Sequence, residues 1–301
     1  MFVLSGRDSR LNGNGLFWVY QCRKLRQMNG KSEREFRIMD KKRFYRRWKR
    51  QYLRGLSSVR EQLNDCCKTG SADAVHELRV AIRRTRLLAS IGRAAIGRKR
   101  TLAFRAWSQR VADALSPVRD YDVMIEWATE ACQDAQFVRE LQEDRKEAWR
   151  DARKALREYP GKWAELRKVD ADRGKRRKLA ARFRQVAGAT REVIDVDAAS
   201  FEQLDSTARH DFRRAVRRMK YLAELNKTSD RRKALGTLQG GLGELQNAQA
   251  VKELLRKGRN HVGRRRQLIR RVNRQESQWF TRCRKSVRSV MTLAELKAAK
   301  N

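Results

Sequence analysis

The chain has 301 residues, enough for one large domain or two small ones around a sizeable core. Lysine and arginine number 73 against 35 acidic residues, a formal charge of +38. That excess points to an anionic partner: nucleic acid, an anionic membrane surface or another polyanion. Seven tryptophans and regular apolar periodicity exclude a wholly disordered polyelectrolyte, and no apolar run approaches the roughly 20 residues of a membrane span.

Residues 1–40 contain glycine and arginine without clear periodicity and are expected to form a flexible N-terminal extension. Their LFWVY stretch is too short for a signal-peptide core and no small-residue cleavage site follows it. Beyond it, i, i+3, i+4 apolar spacing predicts helices near 42–67, 73–95, 98–115 and 117–156. The YPGKW stretch at 159–163 is the strongest break. Further helices are predicted near 174–195, 200–227, 230–241 and 244–260, with a last one reaching about 290. Only Pro117 and Pro160 interrupt the chain, and no sustained apolar–polar alternation marks a strand, so the fold class is all-α.

Ser116–Pro117 reads as a helix start, with serine capping and proline in the first turn, where its missing N–H is harmless. The GGLG stretch at 240–243 follows no strand and precedes no Lys-Ser/Thr. It reads as a tight helix–helix corner rather than a phosphate loop. Cys22, Cys66, Cys67, Cys132 and Cys283 form no Cys-x-x-Cys pair. They are expected to be reduced, half or fully buried thiols of a cytoplasmic protein, holding neither disulfides nor zinc. Trp48, Trp107, Trp127 and Trp279 occupy apolar helical positions or flanks and are expected in the core.

One pattern occurs twice. HELRVAIRRTRLLASI (76–91) and HDFRRAVRRMKYLAEL (210–225) share seven of sixteen residues, and ALSPVRDYDVMIEWA (114–128) resembles GLGELQNAQAVKELL (241–255) more weakly. A period of about 130 residues implies two similar four-helix units rather than a solenoid, with repeats over 41–162 and 163–301. At 100° per residue, Arg79, Arg83 and Arg86 fall within about 80° of His76, opposite an apolar stripe of Leu78, Ala81, Ile82, Thr85, Leu88 and Ala89. His210, Arg213, Arg217 and Lys220 share a face in the same way, opposite Phe212, Ala215, Val216, Met219, Leu222 and Ala223. Arg84 and Arg218 sit at the flanks, placed to pair with a neighbouring helix.

A solvated helix face ordinarily mixes charge signs, because opposite charges at i, i+4 stabilise by about 0.2–0.5 kcal/mol and like charges lose a similar amount. Two rows of cations that accept this repulsion point to polyanion binding. The HELRV sequence is not the His-Glu-x-x-His of a zinc site, and cationic surroundings oppose a metal. No nucleophile, carboxylate pair or phosphate-gripping Gly-Lys-Ser/Thr loop accompanies the histidines. No catalytic residue, metal or cofactor is therefore expected, and the chain reads as a non-enzyme. His76 and His210 are expected to hydrogen-bond a ligand oxygen or a neighbouring helix; His261 reads as a surface residue.

VHELRVAIRRTR, LSPVRDYDV and HDFRRAVRRMKYLAEL together resemble the CHAD family, the conserved-histidine α-helical domain, over about residues 42–290. The resemblance implies two four-helix bundles related by pseudo-twofold symmetry. It also implies binding of inorganic polyphosphate in a basic cleft or pore between them and, for some members, location at polyphosphate granules. It implicates His76, Arg79, Arg83, Arg86 and Arg119 in the first half, with Asp120 orienting a basic neighbour. In the second half it implicates His210, Arg213, Arg217 and Lys220. The second half departs at Gln246 and Asn247, which stand where arginine and aspartate would be. Residues 1–40 are too short for the triphosphate-hydrolysing domain that many members carry, so no such activity is implied. Nucleic-acid binding is the rival reading, through the non-specific clusters KRRK (175–178) and GRRR (263–266), but no helix-turn-helix, zinc-finger or aromatic RNA-binding signature supports it.

Overall fold

The computed structural model describes residues 40–132, 135–157, 163–226, 229–257 and 262–298. Among them every regular element is helical, as the sequence predicts. In chain order these are α1 (Lys41–Thr69), α2 (Ala72–Ile91), α3 (Arg93–Ile96), α4 (Arg98–Cys132) and α5 (Ala135–Arg157). Then come α6 (Trp163–Arg167), α7 (Arg173–Ala199), a 3₁₀ turn (Phe201–Gln203), α8 (Ser206–Asn226), α9 (Ser229–Lys257) and α10 (Val262–Ala298). The expected extension up to residue 39, residues 159–162 of the expected YPGKW break and His261 lie outside the described residues, and Trp163, the last residue of that stretch, begins α6.

Local chemistry sets the ends. The Asp40 carboxylate accepts the backbone N–H groups of Lys42 (2.8 Å) and Arg43 (3.1 Å) and so caps α1. Ser71 caps α2 through the N–H of Ala74 at 3.2 Å. The predicted helix over 73–95 instead stops at Ile91. Gly92 closes it, because the Trp48 indole fills the space beside that residue: a Cβ there would lie 1.7 Å from Trp48 Cζ2. The indole N–H also donates to the Leu88 carbonyl at 2.9 Å.

Helix pairing follows one scheme twice. α1 packs on α2, α2 on α4, α4 on α5, and α5 returns to α1; α7, α8, α9 and α10 close the same ring. The rings join where α1 meets α7 and α4 meets α9, with α1 also touching α8 and α2 touching α7. At the first seam Phe44 and Phe183 pack with ring centroids 4.9 Å apart. At the second, Val123, Met124 and Ala128 of α4 share one core with Ala248, Val251 and Leu255 of α9, closed by Phe137, Leu141 and Val272. Burying side chains of this size contributes about 1.5–3 kcal/mol each, enough to hold the rings together against their shared positive charge.

Two predicted breaks are continuous helix. α4 runs through Pro117, so the expected start at Ser116–Pro117 is corrected. Proline removes one intrahelical bond, to the Asp113 carbonyl, but its ring lies on the exposed side, where water can replace that bond. The α4–α9 and α2–α4 packing on either side keeps a single axis. α9 likewise runs through GGLG, so the expected corner is corrected too. Gly241 serves close approach: a Cβ there would lie 2.8 Å from Cys283 Sγ on α10. Burial pushes the thiols of Cys66 and Cys283 up to about 12, and both are free, as expected. Trp48 and Trp107 are in the core. Trp127 and Trp279 are only half-buried; Trp127 Nε1 donates to Gln275 at 2.6 Å, and Arg282 lies over the Trp279 ring at 4.6 Å.

Candidate polyanion-binding site

Every residue of the two predicted apolar stripes is buried. That burial fixes the rotation of α2 and α8 and sends their cationic faces toward neighbouring helices rather than into open solvent. His76, Arg79, Arg83 and Arg86 on α2 are half-buried, as are Arg119 on α4 and Arg213, Arg217 and Lys220 on α8; His210 is exposed.

Arg79 ties α2 to α4. Its Nη1 donates to the Ala112 carbonyl at 2.8 Å and its Nη2 reaches Ser116 Oγ, directly before Pro117, at 3.5 Å. Arg83 Nε donates to the Arg79 carbonyl at 3.1 Å. Arg119 and Arg217 have no hydrogen-bond or ion-pair partner among the described residues, and the buried Nε of Arg213 has no hydrogen-bond partner. Arg84, at the flank, pairs with Glu224 of α8 as expected and sits 5.7 Å from the Tyr221 ring centre.

The two rows meet. Burial lowers the guanidinium of Arg213 to about 10 and that of Arg217 to about 9, and the next strongest influence on both is the charge of Arg83 from the other half. Arg119 acts on Arg213 as well, and Glu244 opposes it. Arg79 falls to about 10 through burial and then Arg83, with Asp120 working the other way. Arg86 is lowered by burial, by Arg105 of α4 and by Arg214 of α8. Burial and then Arg119 hold His76 below its ordinary value, Arg83 and Arg79 adding to this and Glu77 opposing it.

His76, Arg79, Arg83, Arg119, Arg213 and Arg217 are thus one electrostatic cluster, with Arg86 joined through Arg214. Lys220 shares their face, but its charge is not among those that perturb the cluster. His210 stands at the margin, its Nδ1 2.8 Å from Gln246 Oε1. Gln246 therefore occupies beside His210 the place that Arg119 occupies beside His76. Sequence reasoning missed Arg105 of α4 and Arg214 and Tyr221 of α8, which act on the α2 row from neighbouring helices. A single-helix projection carries no signal for them.

This set can do one thing well. Guanidinium groups remain charged even when lowered to about 9, so at neutral pH the desolvation and mutual repulsion persist until an anion relieves them. Forked N–H donors suit phosphate oxygens. Among the described residues no cluster of His, Cys, Asp and Glu is arranged to hold a metal.

The fold resembles the crystal structure of the CHAD domain from the plant Ricinus communis, with a TM-score of 0.56 at 15% identity over 81% of this chain and 91% of that one. It equally resembles PptA from Streptomyces chartreusis, at 0.56 and 12% identity over 83% and 98% of the two chains. No curated protein sequence matches the chain. The CHAD domain itself matches residues 50–256, which span α1 to α9 and both cationic rows. The chain belongs to the CHAD domain family.

Proposed function

We propose that this protein binds linear inorganic polyphosphate, without turning it over, in a basic cleft where α2 and α8 face each other beside Arg119 of α4. The observation that carries the reading is that the charge of Arg83 reaches both Arg213 and Arg217 from the other half and that of Arg119 reaches Arg213, while Arg119 and Arg217 have no hydrogen-bond or ion-pair partner among the described residues. Membership of a family linked to polyphosphate supports it. So does the residue chemistry: the ligand is a dense row of oxygens with no bases, and the cluster offers mainly forked guanidinium donors. The ligand would be met in the cytoplasm, in polyphosphate granules where these form.

Competition binding at physiological ionic strength tests this, with polyphosphate set against single-stranded DNA of matched charge, RNA and short phosphates. Polyphosphate should win, with affinity falling steeply as salt rises. Equal affinity for matched DNA would sink the selective cleft. Nucleic acid is the rival because Arg177 and Lys178 on α7 and Arg266, Arg270 and Arg274 on α10 are exposed and basic. Charge reversal at Arg79 and Arg213 separates the two, since it should abolish polyphosphate binding and spare binding through those outer faces. Incubation with polyphosphate and magnesium should release no phosphate; steady release lost in His76→Ala would make the protein an enzyme.

A further inference from the structure

A further group of cations lies outside this cluster. Arg43, Arg46, Arg47 and Arg50 line a cavity of about 290 Å³ on α1. Their i, i+3, i+4, i+7 spacing sets four guanidinium groups in one stripe, an arrangement that repels itself. Arg47 is half-buried and held, its Nη1 donating to the Leu225 carbonyl in the last turn of α8 at 3.2 Å. The side chains of Arg43, Arg46 and Arg50 are exposed and make no hydrogen bond or ion pair among the described residues. The carboxylate that senses them is Asp40, which is committed to capping α1; the backbone bond to Arg43 is the main cause of its lowered pKa. Other cations do sit beside a carboxylate, as in Arg191–Asp195, Arg214–Asp211 and Lys252–Glu276.

The position of this stripe gives it meaning. α8 carries Arg213 and Arg217 in its middle and Leu225 at its end. Eight residues of helix separate Arg217 from Leu225, or about 12 Å at 1.5 Å per residue. A flexible polyanion leaving Arg217 toward the end of α8 therefore reaches the α1 arginines after a short run.

We propose that Arg43, Arg46, Arg47 and Arg50 form a second phosphate-binding station on the same track, engaged only by polyphosphate long enough to occupy both. The inference rests on the polyphosphate reading and adds chain-length discrimination to it. Short oligophosphates fill the α2–α8 cluster alone. Long chains fill both stations, and the second engagement is intramolecular, so it multiplies affinity.

The test is the Arg46→Glu/Arg50→Glu double variant, both positions being exposed, against Arg139→Glu/Arg150→Glu on α5, which makes the same change in net charge. Binding of tripolyphosphate, long-chain polyphosphate and single-stranded DNA is measured for the full chain and both variants. The α1 variant should lose at least about tenfold in long-chain affinity, with the salt slope shallower by about 2 and tripolyphosphate binding unchanged. The α5 variant should keep long-chain affinity within about threefold. Equal losses for both variants, no loss in the α1 variant, or loss of DNA binding alone would overturn the second station. If the unaltered protein binds neither phosphate ligand, the underlying reading fails instead.

Discussion

Arg217→Met removes the most strongly perturbed charge of the cluster while keeping the side-chain stem. Burial, Arg83 and Arg213 together lower this guanidinium from 12.5 to about 9. At 1.36 kcal/mol per pKa unit, that sets a ceiling of about 4–5 kcal/mol on what the free protein loses by holding the charge there. Partial solvent access and side-chain relaxation bring the working figure to about 1–2 kcal/mol. The variant should therefore be more stable without ligand, with Tm higher by roughly 2–8 °C at about 2–4 °C per kcal/mol. It should also bind polyphosphate more weakly, because a hydrogen bond between charged groups contributes about 1.5–3 kcal/mol, or tenfold to 150-fold in affinity. Scanning calorimetry with and without polyphosphate reads both effects, and titration calorimetry gives the affinity. The opposed signs are the test. If Arg217→Met lowers Tm in the free protein and leaves affinity intact, the residue is a structural support, and the argument from stored repulsion is wrong.

Arg145→Met should act through the fold alone. Arg145 pairs with Asp122 at 2.5 Å and donates to the Gly70 carbonyl at 2.8 Å, while the Asp122 side chain is 2% exposed. Leaving that carboxylate buried and unpaired should lower stability by about 3–5 kcal/mol in urea unfolding, with little change in ligand affinity of the folded protein. His76, held below 6.5, should take up a proton when polyphosphate arrives near pH 6. Titration calorimetry in two buffers of different ionisation enthalpy should show that uptake, and its persistence in His76→Gln would assign it elsewhere. Without ligand the same depressed value makes stability fall as pH drops below about 6.5, where the unfolded chain binds the proton more readily. Asp197 has the opposite sign, its carboxyl raised to about 6 by burial and by Asp211. Its ionisation destabilises the fold above pH 6, so Asp197→Asn should stabilise by about 1 kcal/mol at pH 8. That advantage should vanish near pH 4, and an unchanged difference across that range would rule the mechanism out.

The rotation of α2 and α8 was legible because burial enforces a 3.6-residue period, and the apolar residues of both stripes fell where that period put them. Burial of the cations was not legible. A helical projection shows Arg83 pointing away from Ile82; it cannot show Arg213 and Arg217 waiting opposite. The glycines and the proline misled for a related reason. Local propensity makes Gly240–Gly243 a corner and Pro117 a start, but Gly241 is small because Cys283 needs the space. Pro117 is tolerated because packing on both sides holds α4 together. Gly92 gives the reverse case, a break hidden inside a good helical pattern and imposed by Trp48.

The two halves repeat a pairing scheme without repeating its charges, and this has a consequence for how a polyanion would lie. Beside His76 stands Arg119, whose charge reaches across to Arg213; beside His210 stands Gln246, which is neutral and bonded to the imidazole. Glu244 presses further against Arg213, while the position aligned with it in the first half is Pro117. Cationic side chains therefore gather where α2, α4 and the middle of α8 come together, while Gln246 adds no charge beside His210, which makes a gradient along the cluster. A uniform ligand carries no direction of its own, so the gradient belongs to the protein. On the proposed function, this gradient would hold a bound polyphosphate most firmly at Arg83 and Arg119, and the His210 side would release phosphate first.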